Sequence, residues 1–197
     1  MTHVAKHGWR PLALGLAAAF LSTGCGIAQT MTFAERLAMC SACHGEDGNS
    51  KLENIPSLAG QPAFFVLNQL FLMREAVRKV EAMAPIVKDL KDEDLDALSK
   101  HFAGLAPKRS DEKIDPALAK RGEEIATARR CVSCHGPNLG GVDQIPRIAK
   151  QRIDFMIKSM TAYRDNPPPG ADTAMSANVT GATDADLVAL AHYAASK

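Results

Sequence analysis

Two cysteine pairs in this chain each run straight into a histidine: Cys40-Ser-Ala-Cys43-His44-Gly45 and Cys131-Val-Ser-Cys134-His135-Gly136. Two thiols three residues apart on a helical turn can add to the two vinyl groups of one porphyrin. An imidazole directly after the second thiol then falls under the ring and binds the iron from one side. C-x-x-C-H is the attachment signature of a c-type haem. Cys40, Cys43, Cys131 and Cys134 are therefore the expected covalent positions of two haem c groups, with His44 and His135 as first axial ligands.

Such an iron takes a sixth ligand or keeps an open site. Met83 and Met175 are the candidates, since a thioether is a soft ligand and His/Met ligation raises the reduction potential relative to bis-His. Methionine also fills gaps in cores, and Met39, Met73, Met156 and Met160, on expected helices, are read that way. Spacing separates the two groups. The first cysteine precedes Met83 by 43 residues and Met175 by 44, and each Met precedes the first leucine of the last helix by 12. His101 and His192 sit on the last helices but not at equivalent positions, which argues against bis-His ligation. Gln61 with Arg74, and Gln151 with Arg164, do fall at equivalent positions. An arginine near a haem edge could neutralise a propionate; a solvated helix surface is the other reading of these four.

The elements that must hold these groups repeat in the same order. Thr32 to Met39 reads as a short helix running into the first motif, and Ala63 to Lys79 carries Phe64, Leu67, Leu70 and Phe71 at helical spacing. Asp92 to Ala103 opens with acidic residues, which suit a helix N-terminus. Pro- and charge-containing residues 107–115 form a linker, with Asp115 as N-cap and Pro116 as the first helical residue. Then come Ala117 to Arg130, Arg152 to Arg164, and a final helix capped at Thr183 and running to Ala195. Ile145-Pro146-Arg-Ile148-Ala-Lys-Gln151 matches Ile55-Pro56-Ser-Leu58-Ala-Gly-Gln61 position for position. A unit of about 75 to 80 residues is too long for a solenoid repeat. The expected organisation is a signal segment 1–28, an N-terminal domain 29–106, a linker 107–115 and a C-terminal domain 116–197. The expected fold class is all-α, two tandem domains each wrapped around one covalent haem.

Lys6, Arg10 and the apolar run Leu12 to Leu21 read as an export signal, too short to span a bilayer. Cleavage after Gly26-Ile-Ala28 would discard Cys25. The alternative is an imperfect lipoprotein box, Leu21-Ser-Thr-Gly-Cys25, which would leave Cys25 lipidated and the protein tethered to a membrane. With Lys6 and Arg10 removed, 21 basic and 22 acidic residues remain. That balance excludes the clustered basic excess of a nucleic-acid binder and leaves room for local patches that dock redox partners.

In these motifs the chain resembles the diheme class I cytochromes c of the bacterial periplasm, the cytochrome c-four type, over about residues 32 to 197. The resemblance rests on the two C-x-x-C-H-G motifs, the I-P-x-[LI]-A-x-Q stretches, the two Met-bearing segments and the Asp-x-Asp-Leu final helices. It implies two facing helical domains with haem propionates near their interface, His/Met ligation at both irons, and electron transfer to a terminal oxidase. Cys40, Cys43, His44, Met83, Cys131, Cys134, His135 and Met175 match the family's haem-binding positions. The chain departs from the pattern at Pro167-Pro-Pro-Gly170, where a glycine and a basic residue are more usual.

The expected function is thus a non-enzymatic periplasmic carrier. A dedicated cytochrome subunit of a periplasmic dehydrogenase is the near alternative. A diheme peroxidase would need a releasable iron site, which a methionine in both copies opposes. Thiol–disulfide exchange at the C-x-x-C pairs lacks strand–helix alternation in its favour. A zinc site would have to draw on ligands from separate domains.

Overall fold

The computed structural model describes residues 1–3 and 31–197, and the described residues contain helices, no strand, and one isolated bridge between Val142 and Ile145. The expected export signal, its cleavage site and Cys25 fall almost wholly outside the described residues.

The first half holds α1 (Phe33–His44), α2 (Ala63–Arg74), α3 (Ala84–Val87) and α4 (Asp92–Ala103). The second holds α5 (Pro116–Ala128), α6 (Val132–His135), α7 (Ile153–Asp165), α8 (Thr173–Val179) and α9 (Asp184–Ser196). Helix starts follow their capping chemistry. Thr32 and Glu35 close a capping box on α1, as Thr183 and Asp186 do on α9. Asp115 accepts from the backbone N–H of Ala117 and Leu118, and Pro116 opens α5. The acidic turn Asp92-Glu93-Asp94 starts α4, where negative charge meets the positive end of the helix dipole.

Each half buries its own apolar core. Val66 and Leu70 of α2 meet Leu95, Leu98 and Phe102 of α4. Ile153, Met156 and Met160 of α7 meet Leu187, Leu190 and Ala194 of α9. In the second half α5 also crosses α9 at close range. A Cβ on Gly122 would lie 2.1 Å from the carbonyl oxygen of Ala189, so only glycine fits this crossing. In the first half Arg36 of α1 pairs with Asp94 of α4 at 3.1 Å.

The structure corrects several sequence-based boundaries. α1 does not stop at Met39 but carries the first motif to His44 without interruption. In the second half Arg130, at φ +57°, breaks the path, so the second motif lies on a separate short helix. α2 ends at Arg74, five residues before Lys79, and Ala76 at φ +53° turns the chain away. The two methionine-bearing segments contain short helices: Met83 is the N-cap of α3 and Met175 lies within α8. Met39 is 38% exposed and fills no core gap, unlike the buried Met156 and Met160.

Candidate haem sites and the joint between them

The last turn of α1 carries Cys40, Cys43 and His44, and the residues around α6 carry Cys131, Cys134 and His135. Glycines 45 and 136, at φ +87° and +80°, reverse the chain directly after each histidine. The Cβ of any other residue at position 45 would meet the Asn49 carbonyl oxygen at 2.4 Å.

Both histidines are buried and held in the same way. His44 Nδ1 lies 2.8 Å from the carbonyl oxygen of Pro56, and His135 Nδ1 lies 2.9 Å from that of Pro146. A carbonyl only accepts, so Nδ1 must carry the proton and donate, which leaves the Nε2 lone pair free. Burial lowers the pKa of both rings, against an opposing push from these hydrogen bonds. A neutral imidazole oriented through its far nitrogen is the form that ligates a metal. The four thiols are free; burial pushes those of Cys40 and Cys131 up, while Cys43 and Cys134 are exposed. Three reactive groups on one turn, with the imidazole fixed from behind, fit a covalent haem. Met83 and Met175 are half-buried against the cores of their own halves.

The side chains set against propionates on sequence grounds have other partners. Arg74 of α2 donates to Asp92 at 2.7 Å and to the carbonyl of Leu90, pinning the start of α4. Arg164 of α7 pairs with Asp184 at 2.8 Å and donates to the carbonyl of Ala182, pinning the start of α9. Their shared repeat position therefore reflects a shared structural role.

Gln61 and Gln151 are buried and form the joint between the halves. Gln61 donates through Nε2 to the Arg147 carbonyl and accepts through Oε1 from the Arg147 N–H, both at 2.9 Å. Gln151 treats Ser57 likewise: Nε2 donates to the Ser57 carbonyl at 2.9 Å and Oε1 accepts from its N–H at 2.8 Å. Positions 57 and 147 are equivalent in the repeat, as are 61 and 151, so the contact is reciprocal. Sequence reasoning found the I-P-x-[LI]-A-x-Q stretch but missed this use of it. The available signal was a pair of matched glutamines beside backbone with no helical or strand partner.

Arg152 supports the joint from the second half. It pairs with Asp154 at 2.6 Å and with Asp111 at 3.4 Å, and reaches the carbonyl of Ser50 in the first half. The Pro167–Gly170 loop also meets the first half, where a Cβ on Gly170 would lie 3.2 Å from Val77 Cγ1.

Two helical units, each ending a helix in C-x-x-C-H and holding its histidine on a proline carbonyl, define a tandem class I cytochrome c. Residues 119–196 match the family described as cytochrome c, and residues 30–101 match that of cytochrome c oxidase, cbb3-type, subunit III. The chain is 34% identical over 178 residues to cytochrome c4 of Stutzerimonas stutzeri, covering 80% of this chain and 84% of that one. The crystal structure of reduced recombinant cytochrome c4 from Pseudomonas stutzeri matches with a TM-score of 0.75 at 31% identity, over 82% of this chain and 95% of that one. A thiosulfate dehydrogenase electron acceptor of Stutzerimonas stutzeri (strain A1501) is 30% identical over 165 residues, covering 78% of this chain and 76% of that one. The chain belongs to the cytochrome c4 family, and is a diheme electron carrier with two covalently bound haem c groups.

Proposed function

We propose that Cys40 and Cys43 attach one haem, ligated by His44 and Met83, and that Cys131 and Cys134 attach the other, ligated by His135 and Met175. The domains are residues 29–106 and 116–197, joined by the linker 107–115. The observation that carries this reading is the repeated imidazole–proline carbonyl bond, 2.8 Å in the first copy and 2.9 Å in the second, which presents Nε2 of each ring for ligation.

When bound, haem iron supplies one-electron exchange between the ferric and ferrous states. The protein's part is to hold the imidazoles neutral and oriented, and Met83 and Met175, packed against the two apolar cores, would supply thioethers that favour the ferrous state. His44 with Met83 and His135 with Met175 would hold the two irons and leave no place for a substrate, so the protein would carry electrons without catalysing a reaction of its own. It works in the periplasm after export through residues 1–28 and passes electrons to a terminal oxidase by outer-sphere transfer. No described helix is long and apolar enough to cross a membrane. Lipidation of Cys25 would tether the protein to a membrane.

A second reading has a specific support. The relative named a thiosulfate dehydrogenase electron acceptor favours a role as the acceptor for a periplasmic dehydrogenase. Two haems in one chain suit either role.

The test is a redox-titrated visible spectrum of protein matured in a host that attaches haem c, with haem counted per chain. Two covalent low-spin haems at positive potentials, with the Met–iron charge-transfer band in the oxidised form, are expected. One high-spin haem, or one at strongly negative potential, would remove a methionine from the ligand set and restore the peroxidase reading. Stoichiometric reduction by a dehydrogenase, set against stoichiometric oxidation by a terminal oxidase, decides between the two partner roles.

A further inference from the structure

α2 and α7 are copies of one element, and their outer faces differ. From Pro62 to Met73 the first copy carries no charged side chain. Its inner face sends Val66 and Leu70 into the core, and Leu37, Cys40 and Met83 pack on that same core. Phe64 and Phe71 lie outside this cluster, 54% and 42% exposed. They stand seven residues apart, about 10 Å along one face, with Asn68 between them. Cys40 and Met83 are on the core side, so the first haem site lies across the helix from this stripe. The equivalent positions in α7 are Asp154, Lys158 and Thr161, an ordinary solvated surface. A helix that is apolar all round is normally covered, and an exposed apolar patch rimmed by polar groups marks an interaction site.

The two ends of α2 indicate what covers it. Its N-cap is Pro62, with no side-chain cap and no acidic residue in the first turn. In the second half the linker supplies that anion: Glu112 accepts from the N–H groups of Ile153 and Asp154 at 2.8 and 2.9 Å. The start of α2 has no such carboxylate from the described residues, although its dipole favours one. At the other end stands the exposed carboxylate of Glu75, beside Arg74, whose guanidinium lies 5.4 Å from the centre of the Phe71 ring. A second α2 laid antiparallel across the first, with Asn68 at the axis, sets Phe64 of each copy beside Phe71 of the other. It also carries Glu75 of each copy to the start of the other's α2. An amide both donates and accepts, so two Asn68 side chains can meet on a two-fold axis where two like charges would repel.

We infer that the outer face of α2 docks a second copy of this chain, as an antiparallel two-fold dimer with the same patch on both sides. α7 cannot pair in this way, because Lys158 would meet its own copy at the axis, so the dimer forms through the first halves alone. Four phenylalanines already half covered would bury about 400 Å² more, well under the roughly 1,200 Å² of a stable complex. The dimer is therefore reversible and parts on dilution. The inference does not depend on which residues ligate the irons.

The test is sedimentation velocity of the mature diheme protein over a concentration series from micromolar upward, with haem counted per chain. The native protein should pass from monomer to dimer. The double variant Phe64→Asp, Phe71→Thr, which takes its residues from α7, should stay monomeric throughout. Asn68→Lys should weaken the dimer about tenfold or more, since like charges then face each other at the axis. Both variants should keep two haems per chain and the native spectrum. If the double variant fails to mature, Asn68→Lys decides alone. Native protein that stays monomeric, or a dimer unchanged in Asn68→Lys, would overturn the inference. A native monomer that cosediments with phosphatidylglycerol vesicles would overturn it in favour of a lipid surface. A native monomer whose oxidation by a terminal oxidase slows in the double variant would overturn it in favour of a redox partner. Fewer than two haems in the native protein would overturn the carrier reading and not the dimer.

Discussion

At the scale of single residues, the candidate sites are set by what stands behind each histidine. Pro56 and Pro146 hold the histidines by their carbonyls, and a proline there presents a carbonyl with no competing N–H of its own. Met83→Ala and Met175→Ala should each halve the Met–iron band, lower one of the two potentials and leave both haems attached; an oxidised-minus-reduced spectrum reads all three. Asp47 gives a prediction in pH. Lys108 Nζ donates to its carboxylate at 2.7 Å and the Asn49 N–H at 3.1 Å, and together they hold its pKa down to about 2. The folded value lies below the unfolded one, about 3.9, so the stabilisation is complete above that range and lost as pH falls through about 2. The group is exposed and screened, which keeps the effect to about 1 kcal/mol or less. Asp47→Asn should lose that much at pH 7, and its deficit against the native protein should close at pH 2 in denaturant titrations.

At the scale of elements, the two halves are copies that pack differently. α5 begins well ahead of Cys131 and meets α9 through Gly122, whereas α1 is capped at Thr32, close before Cys40. Alanine has an intrinsic helical advantage over glycine of about 1 kcal/mol. At position 122 it would drive a methyl into the Ala189 carbonyl, a backbone atom that cannot move aside. The clash should win, and Gly122→Ala should destabilise by roughly 1–3 kcal/mol, read as a lower melting temperature. The starts of α4, α5 and α9 were legible in the sequence because capping residues act locally. The end of α2 and the break before α6 were not, because Ala76 and Arg130 take positive φ without being glycine. α3 and α8 run for four and seven residues, too short to show a hydrophobic period. Sequence placed the two cysteines and the histidine of each candidate haem site within five contiguous residues. It gave Gln61, Gln151, Arg74 and Arg164 a shared position but not the protein partners they have, because equivalence in a repeat gives a position and not a partner.

At the scale of the whole molecule, two cores are joined through buried polar contacts rather than one continuous apolar interior. Gln61→Ala would strip the partners from one buried N–H and one buried carbonyl, and Gln151→Ala from the Ser57 carbonyl and the N–H groups of Ser57 and Arg152; each such group left unmatched costs about 1–3 kcal/mol. The double variant should unfold in two separable calorimetric transitions, with the calorimetric enthalpy exceeding the van't Hoff value; one cooperative transition would show that other contacts bind the halves. The reciprocal grip has a further consequence. Each half offers the other the same hand, which is the arrangement of a two-fold homodimer. In one chain, assembly becomes intramolecular, at a local concentration of the order of millimolar for a short linker. A homodimer of such units would part on dilution; the fused pair cannot. A homodimer must also carry the same residue twice at its axis, whereas the fused chain can place Ser57 on one side and Arg147 on the other. Duplication within one gene product thus keeps the geometry of symmetry while releasing the two redox centres from having to be equal.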